Sequence, residues 1–125
     1  AGSCKIIAVT ALTSLTVDDC KQIYAKDNQD LVLALANLVV NAKGHGVVCS
    51  PLELSLLKQN VELKSLYTVV PGIRPKWDNA KDDQSRVMSP KQALDLGASL
   101  LVIGRPITAA SDPLEASEKV ISEIS

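Results

Sequence analysis

Four short apolar runs, each followed by a turn and a helix-start signal, limit this chain more than any other feature. They are Lys5–Thr10, Gly46–Cys49, Leu66–Val70 and Ser99–Ile103. Each has the length and the β-branched or leucine-rich composition of a buried parallel strand. After the first, the stretch from Ser14 to Asp19 offers hydroxyl and carboxylate caps ahead of a helix at Cys20–Tyr24, and a longer helix is predicted from Asn28 to Lys43. Ser50-Pro51 reads as the N-cap and first residue of a helix reaching about Asn60. Ser89-Pro90 repeats that signal before a helix ending at Gly97, and Ser111-Asp112-Pro113 repeats it before a terminal helix. Strand and helix alternate throughout, which implies an α/β chain of parallel strands joined by right-handed crossovers.

At 125 residues the chain has the length of one small domain or of part of a larger protein. Thirteen basic and 14 acidic residues leave a net charge of −1, which gives no electrostatic footprint for nucleic acid or an anionic membrane. Any affinity for an anion must therefore be local. Cys4, Cys20 and Cys49 are odd in number and match no metal-ligand spacing, so they read as reduced thiols. The longest apolar stretch, Leu31 to Val40, is about half the ~20 residues a bilayer span needs, and no secretory leader precedes the first run. A soluble, cytoplasmic protein is expected. The Asn28–Lys43 helix is apolar almost all round, with Asp30, Asn37 and Asn41 as its polar stripe. It is buried on more than one side, either against its own sheet or also against another subunit or another part of a larger protein.

Two segments carry the chemistry of a phosphate site. Val69-Val70-Pro71-Gly72-Ile73-Arg74-Pro75 and Val102-Ile103-Gly104-Arg105-Pro106-Ile107 each run a strand into a turn bearing an arginine. Glycine lets the backbone approach an anion, and the adjacent guanidinium offers a planar fork of donors. Two such turns at the same end of neighbouring strands point to one shared ligand site. The polar stretch from Lys76 to Ser85 has no period and reads as a lid. Several residues also have plainer readings: Arg74 or Arg105 as an ion-pair partner, His45 as an exposed loop residue, and Asp82 with Asp83 as a solvated face. Trp77 is a lid residue or a hydrophobic plug, and Cys49 is a small core residue in preference to a reactive thiol.

Several of these stretches together resemble one family, orotidine 5′-phosphate decarboxylase. They are Ile7-Ala8-Val9-Thr10-Ala11-Leu12-Thr13-Ser14, Gly46-Val47-Val48-Cys49-Ser50, Pro71-Gly72-Ile73-Arg74-Pro75, the stretch from Asp83-Gln84-Ser85 to Ser89-Pro90, and Val102 to Thr108. The resemblance implies a (β/α)₈ TIM barrel of which residues 1–125 form the C-terminal (β/α)₄ half, strands five to eight, with no second domain. The family's catalytic signature, Asp-x-Lys-x-x-Asp, is not in this sequence. The nearest approach, Asp19-Cys20-Lys21, has Tyr24 where the second Asp would fall. No catalytic residue is therefore expected in this chain.

For binding, the resemblance matches Thr13 to the hydroxyl at the pyrimidine end of the nucleotide, and Arg74 and Gln84 to residues at the mouth and on the closing loop. Gly104 and Arg105 match the phosphate-binding turn. Val70 stands where many members have Thr, and Lys81-Asp82-Asp83 precedes Gln84 where Gly-Asp is usual. The implied activity is a carboxy-lyase of pyrimidine biosynthesis, OMP to UMP and CO₂, with no metal and no organic cofactor. The implied partners are a nucleotide monophosphate, an N-terminal half-barrel and a homodimer mate. Two alternatives stand beside it. One is a non-catalytic phosphate- or nucleotide-binding module whose strands form a flavodoxin-like open sheet or self-associate; the other is a related sugar-phosphate decarboxylase.

Overall fold

The helices start where local chemistry can satisfy their first backbone donors. The computed structural model describes residues 2–12, 14–78 and 88–125. In chain order its elements are β1 (Ile7–Val9), α1 (Val17–Tyr24), α2 (Asn28–Asn41), β2 (Gly46–Val48), α3 (Pro51–Gln59), β3 (Tyr67–Val70), α4 (Pro90–Asp95), β4 (Leu100–Leu101), α5 (Arg105–Thr108) and α6 (Pro113–Ile124). The Thr16 hydroxyl accepts the Asp19 N–H at 3.1 Å, while the Asp19 carboxylate accepts the Thr16 N–H at 2.9 Å. This capping box starts α1 at Val17, three residues before the predicted Cys20, because it makes Val17 the first helical residue. Hydrogen bonds from the Thr16 hydroxyl and amide hold the Asp19 carboxyl below its ordinary value. Proline occupies the first helical turn of α3, α4 and α6, behind Ser50, Ser89 and Asp112. Ser89 and Asp112 accept backbone N–H groups of the first turn, while at α3 the Glu53 carboxylate accepts the Ser50 N–H at 2.8 Å. The four-residue α5 was not foreseen; it follows Gly104 directly.

The sheet has four parallel strands in the order β1-β2-β3-β4. Sequential neighbours joined by right-handed crossovers put every crossover helix on the same side. Burial alternates accordingly. Val47, Cys49, Thr68 and Val70 point toward the helices and are fully buried. On the other face, Val9, Val48, Val69 and Leu100 are register partners in one continuous cross-strand row. Val9 is 59% exposed, Leu100 49%, and Val102 beyond it 45%. An open doubly wound sheet reverses its strand order and covers both faces. This sheet does neither, so it is half of a closed β/α barrel and not a flavodoxin-like sheet.

Helix α2 packs Leu31, Val32 and Ala36 into the core beside Leu54, Leu57 and Leu63, and leaves Leu38 exposed. Among the described residues no helix is long and apolar enough to cross a membrane. At the start of β3 and β4, hydroxyls fix the register. Thr68 is fully buried, its N–H donates to Ser99 Oγ at 3.0 Å, and the two hydroxyl oxygens lie 3.3 Å apart. The Ser99 N–H returns the contact to Thr68 Oγ1 at 3.2 Å. At the same end of the sheet the His45 imidazole accepts the Ile6 N–H through Nδ1 at 3.0 Å, so this exposed residue also fastens β1.

Gly46 is the one position in the sheet where no side chain fits, since a Cβ there would lie 2.1 Å from the Tyr67 carbonyl oxygen. Gly46→Ala must push β2 and β3 apart. The expected loss is about 1–3 kcal/mol, in the range of overpacked cores. Urea unfolding of the two chains, compared at equal slope, measures it.

Candidate phosphate site at the strand ends

All four strands end on one rim, and the turns leaving β3 and β4, which carry the two arginines, are neighbours because those strands are paired. Gly72 follows β3 with φ +74°, a left-handed conformation that favours glycine, and turns the chain toward Arg74. The Arg74 N–H donates to the Met88 carbonyl at 3.0 Å, and Ile73 bridges Met88 in parallel, so this turn is tied to Met88. The Arg74 guanidinium meets Asp78 Oδ2 at 2.9 Å, and both side chains are largely buried. Asp78 was not foreseen, because a partner four residues on is a helix spacing and this segment is not a helix.

Gly104 and Arg105 are exposed at the end of β4. Among the described residues, a Cβ built on Gly104 would meet nothing within 4 Å. Arg105 and Pro106 then begin α5, whose first bonds run from the Ile107 and Thr108 N–H groups to the Gly104 carbonyl. Across the rim, the Thr10 hydroxyl donates to the Val48 carbonyl at 2.8 Å and ties the ends of β1 and β2. Arg74, Gly104 and Arg105 thus lie on one rim. Thr13, Gln84, Asp82, Asp83 and the lid stretch beyond Asp78 lie outside the described residues. Asp19-Cys20-Lys21 lies on α1, away from any strand. Among the described residues no group of Cys, His, Asp and Glu is arranged to hold a metal ion.

Trp77 sits on the outer surface. Lys119 Nζ lies 5.9 Å from its ring centroid, and the Lys76 N–H donates to the Glu123 carboxylate at 3.1 Å. With Glu115 and Glu118 these residues line an open groove of about 720 Å³ that contains neither arginine turn. A smaller hollow of about 270 Å³ lies among Val17, Asn28, Ser50 and Leu52, where Asp27 and Glu53 already cap α2 and α3.

The fold defines a class, the β/α barrels, of which four strands are present here. The chain belongs to the orotidine 5′-phosphate decarboxylase / HUMPS family, whose model matches residues 1–120. It is 46% identical to orotidine 5′-phosphate decarboxylase of Lactobacillus acidophilus over 95% of this chain and 51% of that protein. It is 47% identical to the same enzyme of a Caulobacter species over 96% and 52%. The crystal structure of the Lactobacillus acidophilus enzyme superposes with a TM-score of 0.78 at 37% identity, covering 97% of this chain and 49% of that one. The chain therefore spans about half the length of the relatives it matches.

Cys49 stands just below the rim and is fully buried. Burial, with Glu53 adding to it, pushes its thiol up to about 12 from the ordinary 9.0. A thiol reagent at neutral pH should modify one cysteine in the native chain, the exposed Cys4, and all three in urea. The unfolded chain loses the Cys49 proton near 9.0 and the folded chain only near 12. Stability is therefore complete below pH 9 and falls as pH rises through that window, by at most about 1.4 kcal/mol per unit. Denaturant titrations across the window should show Cys49→Ala losing this part of the slope.

Proposed function

We propose that this chain is the phosphate-binding C-terminal half, strands five to eight, of an orotidine 5′-phosphate decarboxylase, acting in the cytoplasm once an N-terminal half-barrel closes it. The observation that carries this reading is the pair of arginine turns on adjacent strands, with no described residue within 4 Å of a Cβ at Gly104, in a chain that spans about half the length of its family relatives. In the reaction the bond from the pyrimidine ring to its carboxylate breaks, CO₂ leaves, and the ring carbon takes a proton. The lysine and aspartates for that step belong to the Asp-x-Lys-x-x-Asp segment, which this chain lacks.

The chain's own contribution is to hold the nucleotide. Gly104 lets phosphate oxygens reach the backbone, and the Arg105 guanidinium balances their charge with directed donors. Arg74, aligned by Asp78, flanks the mouth; Thr13 reaches the pyrimidine end, and Gln84 joins the phosphate from the loop. Phosphate does not react, so its binding energy serves the reaction only by favouring the closed, water-poor state in which the transition state is formed.

The chain alone should form no UMP from OMP, and mixing it with the N-terminal half of the Lactobacillus acidophilus enzyme should restore turnover. Robust activity of the solitary chain would refute this division of labour. In the reconstituted enzyme Arg105→Ala should lower kcat/KM for OMP about ten- to a hundredfold, the usual cost of one charge-assisted contact. It should scarcely affect a substrate lacking the phosphate, and Gln84→Ala should show the same selectivity with a smaller loss. Equal damage to both substrates would remove the phosphate assignment.

A further inference from the structure

One helix touches both arginine turns. Helix α6 packs against α5, which begins at Arg105, and it also holds the stretch Arg74–Asp78 through Glu123 and Lys119. We infer that α6 is a common brace for the two turns and that Glu123 is a positioning residue for Arg74. The brace bears on binding only if Arg74 holds the nucleotide, and in that respect it rests on the function proposed above.

The placement of Glu123 is the first observation. Ala116 and Val120 are the buried residues of α6, and Glu123 continues their stripe at spacings of four and three, where an apolar side chain is the ordinary choice. A carboxylate in such a place is costly unless it has a partner. Its partner is the Lys76 N–H, 3.1 Å from Oε2 and 3.4 Å from Oε1. Pro75 has no N–H and is fully buried, so Lys76 carries the first backbone donor after Arg74. Lys119, one helical turn before Glu123, supplies the second observation. Its ammonium lies 5.9 Å from the Trp77 ring centroid, within cation–π range, and Glu115 holds the same ammonium at 2.7 Å. The third is the way this stretch folds back on itself. The Asp78 N–H donates to the Pro75 carbonyl at 3.0 Å, and the Asp78 carboxylate meets the Arg74 guanidinium at 2.9 Å. Met88 fixes the Arg74 backbone, whereas α6 fixes the residues between Arg74 and the carboxylate that aims it. Moving Lys76 off α6 therefore moves Asp78, and Arg74 loses its aim. Because α5 leans on the same helix, one rigid element sets the spacing of both turns.

In the 125-residue chain, Glu123→Ala should speed exchange of the Lys76 amide about three- to tenfold, as expected when one local hydrogen bond is lost. Trp77, the chain's one tryptophan, should become more open to acrylamide quenching. Glu123→Gln keeps an acceptor oxygen and should restore both readouts. In the barrel completed with an N-terminal half, Glu123→Ala should raise KM for OMP about three- to tenfold with kcat nearly unchanged, a fraction of one charge-assisted contact. In an Arg74→Ala background the same substitution should add nothing, because Glu123 acts through Arg74. A Lys76 amide or a Trp77 indifferent to Glu123→Ala, an equal KM increase with and without Arg74, or Glu123→Gln as damaging as Glu123→Ala would each overturn the brace. An effect of Arg74→Ala with none of Glu123→Ala overturns the brace and keeps the decarboxylase reading. An unchanged KM in Arg74→Ala overturns both the role of Arg74 and its positioning by Glu123. A completed barrel without turnover overturns the decarboxylase reading, and exchange and quenching then decide the brace by themselves.

Discussion

Parallel pairing in uninterrupted sequence order is the constraint from which the rest of this structure follows. A β/α unit repeated with one hand lays all its helices on one side. The facing surface then needs cover of another kind. In this chain the row Val9, Val48, Val69 and Leu100 awaits strands and not helices, because nothing in the chain order brings a helix to that side. Barrel closure solves this by making the sheet its own lining. The half-length match to complete barrels and the half-open core are thus one fact seen from sequence and from structure.

The rim inherits its form from the same rule. Parallel strands end together, so loops separated by some thirty residues become neighbours without any contact designed between them. The sequence is nearly neutral overall, and two of its basic residues, Arg74 and Arg105, stand in the turns at this rim. The Arg74–Asp78 pair shows how one of these charges is kept in place: its carboxylate partner restrains the guanidinium at low exposure. Gly104 differs, since among the described residues nothing lies within 4 Å of a Cβ built there.

Elements with local causes were readable from the residues. Ser50-Pro51, Ser89-Pro90 and Asp112-Pro113 each combine a cap with a proline that tolerates only the first turn, and α3, α4 and α6 begin there. The strands were legible in place but not in extent: β4 keeps two residues in the ladder where the predicted run, Ser99–Ile103, had five. What escaped depends on distant partners or on very short pieces. Helix α5 is a single turn and leaves no periodicity to detect. The role of His45 depends on Ile6, 39 residues away. Asp78 lies in a polar stretch where any of several carboxylates matched equally well. Of the site, the two arginine turns were legible because each strand–glycine–arginine motif is contiguous in sequence.

The hydroxyl pair of Thr68 and Ser99 has a consequence at the far end of the sheet. Arg74 follows Thr68 by six residues, and Arg105 follows Ser99 by six. Thr68 and Ser99 are bonded across the strands, and the ladder above them runs Val69 to Leu100 and Val70 to Leu101 without a bulge. Two counts begun at a common origin therefore leave the ladder level with one another, at Val70 and Leu101. A slip of one residue would turn every side chain of β4 to the opposite face and start one arginine turn a full step away from the other. The hydroxyls thus act as a shared datum, setting at the base of the strands where two turns they never touch begin.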